Sequence, residues 1–256
     1  MNTKPSPSAS PKGNVLITGA SAGLGKALAE EFHARGYAVL VTGRNEDALR
    51  ALPAAARYPL DLSLPRAGEE LARQVAADGF SVDILVCNAG LGLSGEFTRH
   101  SPAALDALIQ VNIAALTALN RAFLPQMTAR GGGYILNVAS TCAWQPGPYM
   151  AAYYASKAYV LSLTRALRAE CKGSGVTVSA LCPGSIATEF SRRSGRADPG
   201  RAMTPEQVAK IAVSGLLKGR GVITPGMENK ALHALSKLLP APLMAQFVAA
   251  YQKRLL

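Results

Sequence analysis

Residues 14–25 read Asn-Val-Leu-Ile-Thr-Gly-Ala-Ser-Ala-Gly-Leu-Gly. The first five form a short apolar run rich in β-branched residues, which fits a strand buried on both faces. Gly19, Gly23 and Gly25 then allow a tight turn and a close backbone approach to a ligand. A helical pattern opens at Leu24 and runs to Arg35, so its first free N–H groups face that turn. Such a helix end favours an anionic group, and a dinucleotide pyrophosphate fits it. The spacing T-G-x-x-x-G-x-G differs from the common G-x-G-x-x-G fingerprint, and its strand–turn–helix setting is what gives it weight.

The same alternation continues outward from this unit. Gly36 stops the first helix, and Ala38–Thr42 reads as the second strand. A helix is expected near Glu46–Leu52, a strand at Arg57–Leu60, a helix over Pro65–Ala77 and a fourth strand at Asp83–Cys87. Ala103–Ala129 carries one long helical pattern, stopped by Gly131–Gly133; Tyr134–Val138 is the fifth strand and Met150–Lys172 a second long helix. Val176–Leu181, Pro205–Leu217 and Gly221–Thr224 complete the series as strand, helix and short strand. Unbroken apolar strands separated by helices imply a parallel sheet covered on both faces. Right-handed crossovers make it a doubly wound α/β (Rossmann) fold, here one domain over residues 13–256 with a seven-stranded sheet.

Composition narrows the class of function. Of 256 residues, 49% are apolar and 17% charged, which suits a globular chain. No apolar run looks long enough to cross a bilayer, and Met1–Lys12, rich in Ser and Pro, reads as a disordered tail without a signal-peptide core. The expected compartment is cytoplasmic. The balance of 27 basic to 16 acidic residues gives +11, but the charges are scattered and no basic stripe interleaves with aromatics, so no nucleic-acid partner is expected. Cys87, Cys142, Cys171 and Cys182 form no C-x-x-C pair and no metal-ligand spacing with the three histidines, so no metal is expected.

At the end of the second strand stand Thr42-Gly43-Arg44-Asn45. A site for NAD(H) usually places a carboxylate here to accept from the ribose 2′-OH. Gly43 removes that acid, and the Arg44 guanidinium suits a 2′-phosphate, so NADP(H) is expected rather than NAD(H). A solvated Arg44, or one stacked on adenine, is the alternative. Asp61, after the third strand, would accept from the adenine amino group or serve as an ordinary strand-end acid.

Tyr153 and Lys157 lie four apart on a predicted helix and share a face. Ser140 follows the fifth strand, at the sheet edge where doubly wound folds bind ligands. Reduction of a carbonyl creates an alkoxide that needs a proton, and a tyrosine gives it near neutrality only if cations favour its phenolate. Lys157 would supply that bias, while Ser140 would hold the substrate oxygen. Tyr154 lies three residues from Lys157, so the pair alone does not choose between the tyrosines.

These residues resemble the classical short-chain dehydrogenase/reductase family over about Gly13–Thr224. The resemblance rests on the glycine turn, Asn88-Ala89-Gly90, Asn112, Ser140, Tyr153-x-x-x-Lys157 and Pro183-Gly184 with Thr188. It implies an oxidoreductase acting between carbonyl and alcohol, with catalytic Asn112, Ser140, Tyr153 and Lys157, and it selects Tyr153 as the acid and base. Lys157 would also bind the nicotinamide ribose, Asn112 would distort its helix and hold a water leading to Lys157, and Ile186 and Thr188 would meet the carboxamide. Asn88 would steady the sheet while Ala89 and Gly90 pass the adenosine ribose; Ser21 and Leu24 belong to the phosphate turn. The resemblance further implies a homodimer or homotetramer through the two long helices. Departures are Cys87, where the family often has Asn, and Ala22, which many NADP-users replace by a basic residue. A cofactor-sensing protein without turnover is the competing reading, and the complete set of four catalytic residues weighs against it.

Cys142, Trp144, Pro146, Pro148, Tyr149 and Met150 lie between Ser140 and Tyr153 and should line a mostly apolar substrate pocket. Cys142 reads as an inert wall, with a reactive thiol as the alternative. Ser185–Met203, with Arg192, Arg193, Arg196 and Arg201, reads as a mobile lid; its arginines are either solvated or meet an acidic substrate. In residues 226–256, Ala231, Leu232, Leu235, Leu238 and Leu239 and then Leu243, Met244, Phe247, Val248 and Tyr251 recur at helical spacing, flanked by Lys230, Lys237, Lys253 and Arg254. They are expected to pack over the pocket or against another subunit, with contact to lipid or an acyl substrate second.

Overall fold

Leu16, Leu40, Leu85, Ile135 and Val178 are buried on one face of a sheet, and Val15, Ile17, Val39, Val41, Val86 and Leu136 on the other. Alternate side chains of a strand face opposite ways, so an unbroken apolar run needs cover on both sides. The computed structural model describes residues 12–197, 200, 202–236 and 238–256, and Arg201, Lys237 and Met1–Pro11 lie outside them. The described residues form a seven-stranded parallel sheet from β1 (Asn14–Thr18), β2 (Ala38–Gly43), β3 (Ala56–Pro59), β4 (Ile84–Cys87), β5 (Gly133–Val138), β6 (Val176–Leu181) and β7 (Val222–Ile223). The order is β3-β2-β1-β4-β5-β6-β7, so the chain reverses direction across the sheet between β1 and β4. Ligands of doubly wound sheets bind at such a reversal, beyond the carboxyl ends of the strands.

The helices, in chain order, are α1 (Gly23–Ala34), α2 (Glu46–Arg50), α3 (Ala67–Ala77), α4 (Pro102–Ile109), α5 (Leu116–Ala129), α6 (Ala151–Glu170), α7 (Phe190–Arg193), α8 (Pro205–Leu217), α9 (Met227–Ser236) and α10 (Ala241–Lys253). Leu28 and Phe32 of α1 pack with Val208, Ala212 and Leu216 of α8 on one face. Leu71 and Val75 of α3, Leu119 and Phe123 of α5, and Val160 and Leu161 of α6 cover the other. A third cluster joins Leu108, Met150, Tyr153 and Tyr154 to Met244 and Val248 of α10.

Several boundaries differ from the sequence reading for local reasons. Helix α3 starts at Ala67, not Pro65, because Arg66 adopts φ 60°, outside helical geometry. The third strand pairs Ala56 with Leu40 and ends at Pro59, one residue early, and the seventh is only two residues long. The long pattern Ala103–Ala129 is not one α-helix: Gln110–Ala115 forms a wider π-turn between α4 and α5 that carries Asn112. By length and mean hydropathy (1.5), Pro102–Ala129 meets the measure of a membrane-crossing helix, contrary to the sequence expectation. Its apolar residues Val111, Leu116, Leu119, Phe123 and Met127 are instead packed against the sheet, as a core helix requires.

Candidate active site

The glycine turn is held shut by Thr18 and Asn88. Thr18 Oγ1 accepts from the Asn88 and Ala89 N–H groups, each at 3.0 Å. Asn88 Nδ2 donates to the carbonyls of Thr18 (2.9 Å) and Gly19 (3.2 Å), tying β4 to the turn. A Cβ on Gly19 would lie 2.8 Å from Ala89 Cα, and one on Gly25 would meet the Gly19 carbonyl, so only glycine permits this approach. No side chain caps α1, whose N-cap is Ala22, and the first N–H groups of the helix have no side-chain acceptor. That uncapped end, framed by Gly19, Ser21, Gly23 and Leu24, fits a dinucleotide pyrophosphate.

Around it stand the other residues expected to hold the cofactor. Gly43 sits against Ser21, whose Oγ would lie 3.1 Å from a Cβ there. Arg44 is exposed; burial pulls the Asp61 carboxyl upward, but two hydrogen bonds from Ser63 to Asp61 Oδ1 (2.9 and 2.8 Å), helped by the Arg44 charge, hold it below the usual carboxylate range. After β6, the Pro183 carbonyl accepts from Thr141 N–H at 3.0 Å, Ile186 pairs with Met203, and Thr188 Cγ2 would lie 3.0 Å from a Cβ on Gly23. The loop after β6 thus closes onto the turn after β1. A Cβ on Gly184 would lie 2.4 Å from Asn229 Oδ1, so the first turn of α9 rests on Pro183-Gly184.

Ser140, Tyr153 and Lys157 are only 7%, 9% and 4% exposed and come together beyond β5. Lys157 Nζ donates to the Val138 carbonyl at 2.8 Å and lies 5.8 Å from the Tyr153 ring centroid. Burial brings its amine down to about 8. Burial also pushes the Tyr153 phenol well above its ordinary value, an effect that a charge on Cys142 would add to and that the Ser140 hydroxyl and the Arg196 charge oppose. Ser140 and Arg196 thus only moderate the rise, and Lys157, expected to favour the phenolate, donates to the Val138 carbonyl.

Asn112 closes a network rather than pointing at Lys157. Its Oδ1 accepts from Leu91 N–H (2.8 Å), and its Nδ2 donates to the Leu91 carbonyl and the Ser156 hydroxyl (2.9 Å each). Ser156 in turn donates to the Tyr153 carbonyl at 2.7 Å. The π-turn thereby braces α6 between its tyrosine and its lysine. A Cβ on Gly90 would lie 3.4 Å from Lys157 Nζ and 3.5 Å from Asn112 Oδ1, so Gly90 sits where these two side chains converge.

The residues expected to wall the pocket are placed unequally around Tyr153. Cys142 packs against the cluster of Tyr153 and Tyr154, and burial raises its thiol above the ordinary value, which favours the protonated form. Trp144 stacks on His233 of α9 with ring centroids 4.1 Å apart. Tyr149 differs: at φ 65° its ring faces Lys253, 5.5 Å away, and it lies outside the cluster around Tyr153. Tyr154 is occupied, since its hydroxyl accepts from Gln252 Nε2 at 2.8 Å and its ring fills the space beside Gly147. Arg192 and Arg193 both pair with Glu189 in solvent.

Sequence reading did not single out Ser156, Gln252, Asn229 or Phe190. Ser156 and Gln252 are polar yet buried, and their burial follows from packing rather than from local pattern. The C-terminal stripe also divides. Met244, Val248 and Gln252 face inward, whereas Leu243, Phe247 and Tyr251, one position earlier in each turn, are exposed, as is Leu238 at 80%.

Comparisons with known proteins place the chain in a family. The family model for short chain dehydrogenases matches residues 13–199. Probable oxidoreductase EphD of Mycobacterium tuberculosis is 32% identical over 257 residues, covering 90% of this chain but only 43% of that protein, so the chain spans less than half of this relative. The NADP-dependent 3-hydroxy acid dehydrogenase YdfG of Escherichia coli K12 is 34% identical over 213 residues, 77% of this chain and 86% of that one. A short-chain dehydrogenase from Sphingobium yanoikuyae, solved in complex with NADPH, superposes with a TM-score of 0.79 at 29% identity, covering 89% of this chain and 96% of that one. Fold, glycine turn and the grouping of Ser140, Tyr153 and Lys157 are thus joined by a family match over most of the chain, which belongs to the short-chain dehydrogenase family of oxidoreductases.

Proposed function

We propose that this chain interconverts a carbonyl and an alcohol with NADP(H), on a substrate of mostly apolar body, with Tyr153 as general acid and base. The observation that carries the reading is the buried meeting of Tyr153, Ser140 and Lys157 at the carboxyl edge of the sheet. The dinucleotide is held by the turn from Gly19 to Gly25, with Arg44 at the 2′-phosphate, Asp61 at the adenine, Asn88, Ala89 and Gly90 along the ribose, and Pro183, Gly184, Ile186 and Thr188 at the nicotinamide end. Bound there, it supplies the transfer of a hydride to or from carbon. Gly43 in place of an acid and the exposed Arg44 support NADP(H) over NAD(H). The NADPH bound to the Sphingobium relative is in keeping with this.

Ser140 holds the substrate oxygen and fixes the carbon for reaction. Tyr153 gives its proton to that oxygen in reduction and takes it back in oxidation. Lys157, its amine brought down to about 8 by burial, leaves the Val138 carbonyl to bind the nicotinamide ribose and refills the proton on Tyr153. Asn112 positions α6 through Ser156. Leu91, Leu93, Cys142, Met150 and Phe190 exclude water around the phenol. We further propose a cytoplasmic homodimer or homotetramer through the exposed faces of α5 and α6.

Replacing Tyr153 by Phe removes only the hydroxyl and should lower turnover by about 10²-fold or more. Tyr154→Phe should lose far less, because that hydroxyl is occupied by Gln252. NADPH-oxidation assays over ketones and aldehydes measure both. Near-normal rates in Tyr153→Phe would overturn the mechanism.

A further inference from the structure

The wall around Tyr153 is apolar, formed by Leu91, Leu93, Met150, Phe190 and Met244. Arg196, just beyond α7, enters it. Its Nη1 lies 3.7 Å from Met150 Sδ and 3.4 Å from Gln252 Oε1, and its Nε is buried without a hydrogen-bond partner. No carboxylate pairs with it among the described residues. The same segment neutralises its other two described arginines, both on Glu189, in solvent. The inward-facing guanidinium is the one left without an anion.

A thioether and an amide oxygen are weak compensation for a partly buried cation, which favours an opposite charge in the same space. The planar guanidinium fork matches a carboxylate bidentately. One positive charge suits a singly charged carboxylate better than a phosphate dianion, since Arg196 is the cation at this wall and Lys157 is assigned to the cofactor ribose. Gln252 is fully buried and bridges Arg196 to the Tyr154 hydroxyl, so the fork is held in place from α10. Met150, which the guanidinium touches, packs in the same cluster as Tyr153, so the cation stands at the wall of the reacting centre.

We infer that Arg196 binds a carboxylate of the substrate, so that the chain acts on hydroxy and oxo acids in preference to neutral alcohols and ketones. The inference rests on the reading of Ser140, Tyr153 and Lys157 as the reacting centre, and two readouts separate the two.

The first readout is kcat/KM with NADP+ for 2-, 3- and 4-hydroxyhexanoate, each against its methyl ester. For at least one isomer the acid should exceed its ester by about tenfold or more, equivalent to about 1.4 kcal/mol. In Arg196→Gln that ratio should fall to about one, and Arg196→Lys should keep part of it. The second readout is binding of hexanoate against methyl hexanoate, followed by fluorescence of Trp144, the single tryptophan. It needs no turnover. Hexanoate should bind the wild type more tightly, and Arg196→Gln should abolish the difference.

Esters used as well as or better than every acid, or an acid preference that survives in Arg196→Gln, would overturn the inference. If no alcohol is oxidised while hexanoate binding still depends on Arg196, the carboxylate site stands and the oxidoreductase reading falls. Oxidation of esters without acid preference has the reverse meaning.

Discussion

Lys157 is a nearly dry ammonium that donates to the Val138 carbonyl, and its replacement by Met separates what burial costs from what catalysis needs. Burial lowers its pKa from 10.5 to about 8, a displacement of about 3 kcal/mol in favour of the neutral form. Below pH 8 the lysine is protonated in both folded and unfolded chains, so the native state bears the whole cost. Between about 8 and 10.5 the unfolded chain keeps a proton that the native chain has released, and stability therefore rises with pH. The Met variant lacks this titration but leaves the Val138 carbonyl without its donor, at about 1–3 kcal/mol. At pH 7 the two effects nearly cancel, so Lys157→Met should be about as stable as the wild type or slightly more so, while turnover is lost. The wild type should then gain about 3 kcal/mol relative to the variant by pH 10.5. Urea unfolding of both cofactor-free proteins, in steps from pH 7 to pH 10.5, measures the difference, and titrations common to both cancel. A difference that stays flat with pH, or moves the other way, would refute the claim that this lysine sits desolvated beside the phenol.

Thr18→Val keeps the shape of a buried side chain but removes the acceptor for Asn88 and Ala89 N–H. Chemical denaturation should show a loss of about 2 kcal/mol, largely restored by Thr18→Ser, because a buried N–H without an acceptor is costly; a Val variant as stable as the wild type would refute it. For the cofactor, titration should give a preference for NADP(H) over NAD(H) of at least about tenfold, about 1.4 kcal/mol. Arg44→Ala should abolish it, and equal affinities in the wild type would sink the assignment.

Much of the framework was legible because it is written in local periods. Runs such as residues 14–18 and 176–181 declare strands, and glycines at 19, 23 and 25 declare a turn, because backbone freedom and alternate-face burial are properties of a few consecutive residues. The family resemblance supplied the set Asn112, Ser140, Tyr153 and Lys157, and the fold gathers its last three at one sheet edge.

Local pattern could not settle choices made between distant segments. Met244 and Leu243 are equally apolar neighbours, yet the first is buried and the second exposed, because α10 docks on Tyr154 and Met150. The hydrogen bond that occupies Tyr154 comes from Gln252, 98 residues away. Arg192, Arg193 and Arg196 look alike in the chain; two find Glu189 in solvent, and the third is carried inward against Met150 and Gln252. Asn112 likewise belongs to a π-turn that braces α6. Sequence period fixes which conformation a segment takes and roughly how apolar its faces are. Which of two comparable faces meets the core, and which charge goes unpaired, depends on how separate elements dock, and only the tertiary structure decides that.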